Sequence, residues 1–145
     1  MSTKMLTLMS QDKQQFTIEE QFAVQSITIK NMVEEDCVSS VIPLPNVHSE
    51  TLTLVIEYLH KQASVAENDL KKFVSDREIS TLLDLAKAAS YLDIKGLMDL
   101  ACDKLADLIK DMTVEELREI FQIENDFTPE EEQALRAEFP WAFEI

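Results

Sequence analysis

The 145-residue chain predicts an α+β fold, in which a small N-terminal sheet with helices is followed by a C-terminal helical extension. Three observations carry that prediction. Two short extended runs flank a polar turn near the start, and a proline-broken apolar stretch, VIPLPNV, occupies residues 41–47. Beyond it, apolar residues recur at helical spacing.

The opening runs, Met5 to Met9 and Gln15 to Ile18, predict a hairpin around Ser10 to Gln14. That turn has no glycine, the residue that takes a positive φ without steric cost. Thr17 and Glu20 have the spacing of a capping box for the segment that follows, which reads as one helix or as two short ones. Its core candidates are Ile27, Met32 and Val33. Pro43 and Pro45 exclude helix, while Val41, Ile42 and Leu44 suit an edge strand. Ser49 is placed to cap a helix whose apolar side is Leu52, Val55, Ile56 and Leu59. These elements make up an N-terminal part, residues 1–62.

Residues 63–80 are mostly polar and predict a linker, weakly anchored by Leu70 or Phe73. The remainder, 81–145, predicts helices only. Ser80 is a candidate cap for TLLDLAKAASYLDI. The next segment, GLMDLACDKLADLIK, carries Leu97, Leu100, Ala101, Leu105, Leu108 and Ile109 on one stripe, broadened by Met98, Cys102 and Ala106. Apolar around so much of its circumference, it is expected at the centre of a core. Thr113 to Glu116 is a capping box with Met112 and Leu117 as a staple, and Thr128 to Glu131 is another, with Pro129 at the first helical position. Glu130, Glu131 and Glu132 thereby have a local cause, since they face the positive end of a helix dipole.

Composition removes most functional classes. A formal charge of −15 and a pI near 4.4 repel phosphate backbones and anionic lipid, so neither nucleic acid nor membrane is an expected partner. The start, MSTKMLTLMSQDKQQ, lacks a long apolar signal segment, and Cys37 and Cys102 lack any metal or CxxC spacing, which predicts reduced thiols in the cytosol or nucleus. Gly96 is the only glycine, so no phosphate-cradling loop exists. His48 and His60 stand apart without nucleophile or ligand neighbours, and ENDFTPEEE lacks the glycine that a calcium loop needs. No catalytic residue, metal or cofactor is expected.

What remains is surface. Ten acids lie between Thr113 and Ile145, opposed by Arg118 and Arg136, yet Ile120, Phe121, Ile123, Phe127, Leu135, Phe139, Trp141 and Phe143 share the stretch. Two short helices with narrow apolar stripes do not fold alone. Five large side chains left partly uncovered represent on the order of 10 kcal/mol gross when a partner covers them.

IPLPNV (42–47), YLDIKGLMDLACDKLADLIK (91–110), EELREIF (115–121), NDFTPEEE (125–132) and WAFE (141–144) together resemble the S-phase kinase-associated protein (Skp) family, most of all its plant members. These are adaptor subunits of SCF (Skp–cullin–F-box) ubiquitin ligases. The resemblance implies a POZ (BTB-type) domain with a C-terminal helical extension, here 111–145, and a non-enzymatic bridge between a cullin and F-box proteins, in nucleus and cytoplasm. It further implies weak homodimers when the partner is absent. Mapped onto this chain, the F-box region is Ala88 to Ile145, with Leu97, Leu100, Leu105, Ile109, Ile120, Phe121, Ile123, Phe127 and Trp141 as candidate contacts. The cullin contact maps to Ser90 and Tyr91, where the family has Asn-Tyr. The lost amide predicts cullin binding weaker by about 1 kcal/mol.

Departures from the family pattern are specific. Its hairpin Asp-Gly is Asp12-Lys13 here, Asp111 stands at a helix-ending glycine, and Val114 replaces a proline. The acidic loop is abbreviated and lacks the usual tryptophan, and Phe139-Pro140 precedes Trp141. These fit either a divergent paralogue with a narrowed set of F-box partners or a loop shortened artificially. Two rival expectations are an elongin C-like adaptor for another box motif, whose family ends before such an extension, and an acidic histone chaperone or cation-binding protein, which would carry acid runs longer than three.

Overall fold

A computed structural model describes residues 4–35, 41–62 and 67–143. Cys37 and residues 63–66 of the expected linker lie outside the described residues. The chain forms two compact units, one running through Leu105 and the other from Ala106 onward.

In the first unit, β1 (Met5–Met9) and β2 (Gln15–Glu19) pair antiparallel with Leu6 opposite Ile18, as the hairpin pattern predicts. Alternation buries Leu6, Leu8 and Ile18 on one face. The turn closes without glycine because Lys13 itself takes the left-handed conformation, at φ 69°. α1 (Glu20–Ala23) and α2 (Ile27–Glu34) resolve the open alternative in favour of two short helices. The capping box expected from Thr17 and Glu20 does not form, since Thr17 is paired within β2 opposite Thr7. Ser26 caps α2 instead, accepting from the Ile29 amide and donating to the Leu92 carbonyl. That tether turns Ile29 inward and leaves Ile27, an expected core residue, 45% exposed.

β3 (Ile42–Pro43) runs parallel to β1 and completes the order β2-β1-β3. Pro43 is tolerated because β3 is an edge, and the next amide, Leu44, still donates to Met9 at 2.8 Å. α3 (Ser49–Gln62) buries Leu52, Val55, Tyr58 and Leu59. Ser49 does not cap its own helix; its amide and hydroxyl both donate to Asp12, at 3.0 and 2.6 Å.

The expected linker is largely helix, α4 (Glu67–Ser75), followed by a short connection. Phe73 and Val74 are buried, with the Phe73 ring 6.2 Å from that of Tyr58 and Arg77 donating to the Phe73 carbonyl at 3.0 Å. Leu70, Phe73 and Val74 stand at i, i+3 and i+4, a stripe too short to stand out among the surrounding polar and charged residues, and α4 packs on α3.

α5 (Ile79–Leu92) begins earlier than a Ser80 cap would allow, with Glu78 at the N-cap, and buries Leu82, Leu85, Ala88, Ala89 and Leu92. It ends on Asp93 in the left-handed conformation, φ 53°. α6 (Lys95–Ile109) crosses the unit boundary. It is not the central helix its composition predicts: Leu97, Ala101 and Leu105 are buried, whereas Met98, Cys102 and Ala106 are exposed. Burial at four-residue spacing is what a helix with one packed side shows.

The second unit contains α7 (Val114–Phe121), α8 (Pro129–Glu138) and a 3-10 turn, Pro140–Phe143. The first predicted capping box forms in full, and the second forms only its threonine half. Thr113 accepts from the Glu116 amide at 3.1 Å while Glu116 accepts from the Thr113 amide at 3.4 Å. Thr128 accepts from the Glu131 amide at 3.1 Å, with Pro129 at the first helical position. None of the described residues from Ala106 to Phe143 is buried.

Candidate partner-binding surfaces

The second unit is held by charge. Arg136 lies 3.1 Å from Glu115 on α7 and 3.4 Å from Glu132 on its own helix, and its guanidinium sits 4.4 Å from the Phe143 ring centre. Arg118 adds a longer contact to Glu132, at 3.8 Å. An exposed pair such as Arg136 and Glu115 contributes roughly 0.2–1 kcal/mol. Such contacts orient the helices without supplying a core.

Five large apolar side chains of this unit are left in water. Exposure runs from 38% at Ile120 through Phe127 and Ile123 to 72% at Trp141. Ile109 and Phe121 are half-buried. Phe139, absent from the candidate contacts, is also exposed, and its ring meets that of Trp141 edge-on with centroids 6.4 Å apart. Leu135, Phe139, Trp141, Ala142 and Phe143 line an open apolar concavity of about 350 Å³. Leu135 on α8 and Phe139 at its C-cap are four residues apart, a spacing legible in the sequence, where both count among the apolar residues of the stretch but not among the candidate contacts.

Three sequence-derived candidates belong to α6 within the first unit. Leu97 is fully buried and Leu105 nearly so, so neither offers surface to a partner in this structure; Leu100 is half-buried. Leu97 and Leu105 are core residues because they share the inward stripe with Ala101.

On the other candidate surface, Ser90 is exposed and Tyr91 half-buried. Both line a shallow cleft of about 460 Å³ with Ala86, Lys87, Met98 and Cys102. The residues of α5 and α6 come in four-residue steps, Lys87 with Tyr91 and Met98 with Cys102, which places each pair on one helix side. Thr28 donates to the Tyr91 carbonyl at 2.9 Å and ties α2 to this end of α5.

Among the described residues, Asp12 has the most strongly lowered carboxyl. Hydrogen bonds from the Ser10 and Ser49 hydroxyls hold its carboxyl down at about 2. His48 approaches it at 3.7 Å, but the Ser49 hydroxyl donates to Asp12 rather than to an imidazole. The cluster is a clasp between hairpin turn and α3, without an activated nucleophile.

A small mixed sheet under helices, followed by a helical extension with no buried residue among the described ones, defines an α+β POZ-type domain that carries a C-terminal helical appendage. Residues 4–64 match the tetramerisation domain of the Skp1 family and residues 95–142 its dimerisation domain. The chain is 53% identical to SKP1-like protein 12 of Arabidopsis thaliana, over 99% of this chain and all of that protein. It is 45% identical to SKP1-like protein 1 of Oryza sativa subsp. japonica, over 97% of this chain and 96% of that one. The chain belongs to the Skp1 family.

Proposed function

We propose that the chain is a non-catalytic adaptor of an SCF-type ubiquitin ligase, joining a cullin scaffold to F-box substrate receptors for protein degradation in nucleus and cytoplasm. Family membership supports the role. The observation that carries it physically is the coreless second unit, whose Ile120, Ile123, Phe127, Phe139 and Trp141 stand in water. With those five about half exposed on average, covering them yields about 5 kcal/mol gross from this side. That is half the value expected from composition. An apolar F-box segment contributes a comparable amount, which sustains a stable complex after association costs.

Purified chain and an F-box domain should form a one-to-one complex by size-exclusion chromatography with light scattering. Ile123→Ala and Trp141→Ala should each weaken it, and wild-type affinity in both variants would refute the site. Tyr91→Ala should impair capture of a cullin N-terminal fragment and leave F-box binding intact. An elongin C-type box offered in parallel should not bind. Core histones and calcium, tested by calorimetry, should give no heat.

A further inference from the structure

Four of the exposed apolar side chains in the second unit have a carboxylate as their immediate chain neighbour. Glu119 precedes Ile120, Glu124 follows Ile123, Asp126 precedes Phe127 and Glu138 precedes Phe139. All four carboxylates are exposed, and none makes an ion pair or side-chain hydrogen bond among the described residues. The cations of the unit are engaged elsewhere: Arg118 with Glu132, Arg136 with Glu115 and Glu132, and Lys110 with Asp107 at 3.9 Å. From Ala106 to Ile145 twelve carboxylates face three cations, so −9 of the chain's −15 resides here.

Local structure explains other acids but not these four. Glu115, Glu116, Glu130, Glu131 and Glu132 lie in first turns, where the helix dipole favours negative charge. Glu119 lies near the end of α7 and Glu138 is the last residue of α8, where the dipole disfavours it. Glu124 and Asp126 lie in the irregular segment between the helices. Any partner that covers Ile120, Ile123, Phe127 and Phe139 must pass beside these carboxylates, because adjacent Cα atoms are only about 3.8 Å apart. An apolar or acidic rim on the partner would strip water from four unpaired charges, whereas a cationic rim would compensate them.

We propose that this face takes a polypeptide segment whose apolar anchors are flanked by lysines or arginines, the cations meeting Glu119, Glu124, Asp126 and Glu138. This rests on the adaptor function above: the occupant is the F-box segment, and its charge is what is added. Charge sets the encounter rate and selects among F-box receptors, while the apolar anchors hold the complex.

The test is stopped-flow association of the full chain with an F-box domain that carries Lys or Arg beside its anchors, and with the same domain after those cations are changed to Gln. For the cationic domain, raising the salt from about 50 to about 500 mM should slow association at least tenfold or so. The combined variant Glu119→Gln, Glu124→Gln, Asp126→Asn, Glu138→Gln should lose about tenfold in rate and most of the salt dependence, with the thermal midpoint of the free chain unchanged. Equal rates for both domains, or wild-type rate and salt dependence in the combined variant, would overturn the charge proposal alone. If neither domain binds wild type at any salt, the adaptor function falls with it.

Discussion

Trp141→Ala separates a residue that serves a partner from one that serves the fold. Trp141 keeps 72% of its surface in water, and its ring contact among the described residues is the edge-on one with Phe139. A tryptophan side chain presents roughly 250 Å², so about 180 Å² is available here and about 120 Å² is lost after allowing for the remaining alanine. At about 25 cal/mol per Å² the complex should weaken by about 3 kcal/mol, roughly a hundredfold in Kd. The free chain should lose about 1 kcal/mol at most, the worth of one aromatic pair. Leu97→Ala is the matched opposite. Leu97 is fully buried, so its truncation should cost the free chain about 2–5 kcal/mol. The assay pairs titration calorimetry against an F-box domain with urea unfolding of each free variant. If Trp141→Ala lowers the stability of the free chain as far as Leu97→Ala does, while the Kd stays within threefold, the exposed-anchor argument is wrong.

Lys13 carries a positive φ of 69° in the hairpin turn, so Lys13→Gly should raise stability by about 1 kcal/mol, read as a higher urea midpoint at unchanged slope. A Cβ at Gly96 would lie 2.5 Å from the Tyr58 hydroxyl, so Gly96→Ala should destabilise by about 1–3 kcal/mol despite alanine's better helix propensity. A gain in its thermal midpoint would show that Tyr58 yields freely. Asp12 titrates at about 2 rather than at the usual 3.8, so it binds its proton less readily folded than unfolded. Its stabilising effect is complete above about pH 4 and disappears as pH falls toward 2. Wild type should accordingly exceed Asp12→Asn in urea midpoint at neutral pH and converge on it only as pH reaches about 2; an undiminished gap there would exclude the carboxylate as its source.

Elements whose cause is local were legible in the chain. The alternation of β1, the prolines of the edge strand, the α3 stripe and both threonine caps of the second unit each depend on neighbours a few residues away. The misjudged elements depended on distant partners. Ser26 reaches Leu92 and so decides that Ile29, not Ile27, turns inward. Phe73 meets Tyr58 and makes a helix of an apparently polar linker.

The candidate binding surfaces divide in the same way. Composition alone established that an acidic, nearly glycine-free chain has no phosphate loop, and that its closing segments are too apolar for a solvated tail and too short to fold by themselves. Which greasy residues are spent internally was decided only in three dimensions. Leu97 and Trp141 look alike as apolar candidates, yet Leu97 is sealed on the inward stripe of α6 and Trp141 stands in water. The reason is that burial belongs to what surrounds a side chain: hydrophobicity makes a residue worth covering, and tertiary packing settles whether its own chain or another one does so.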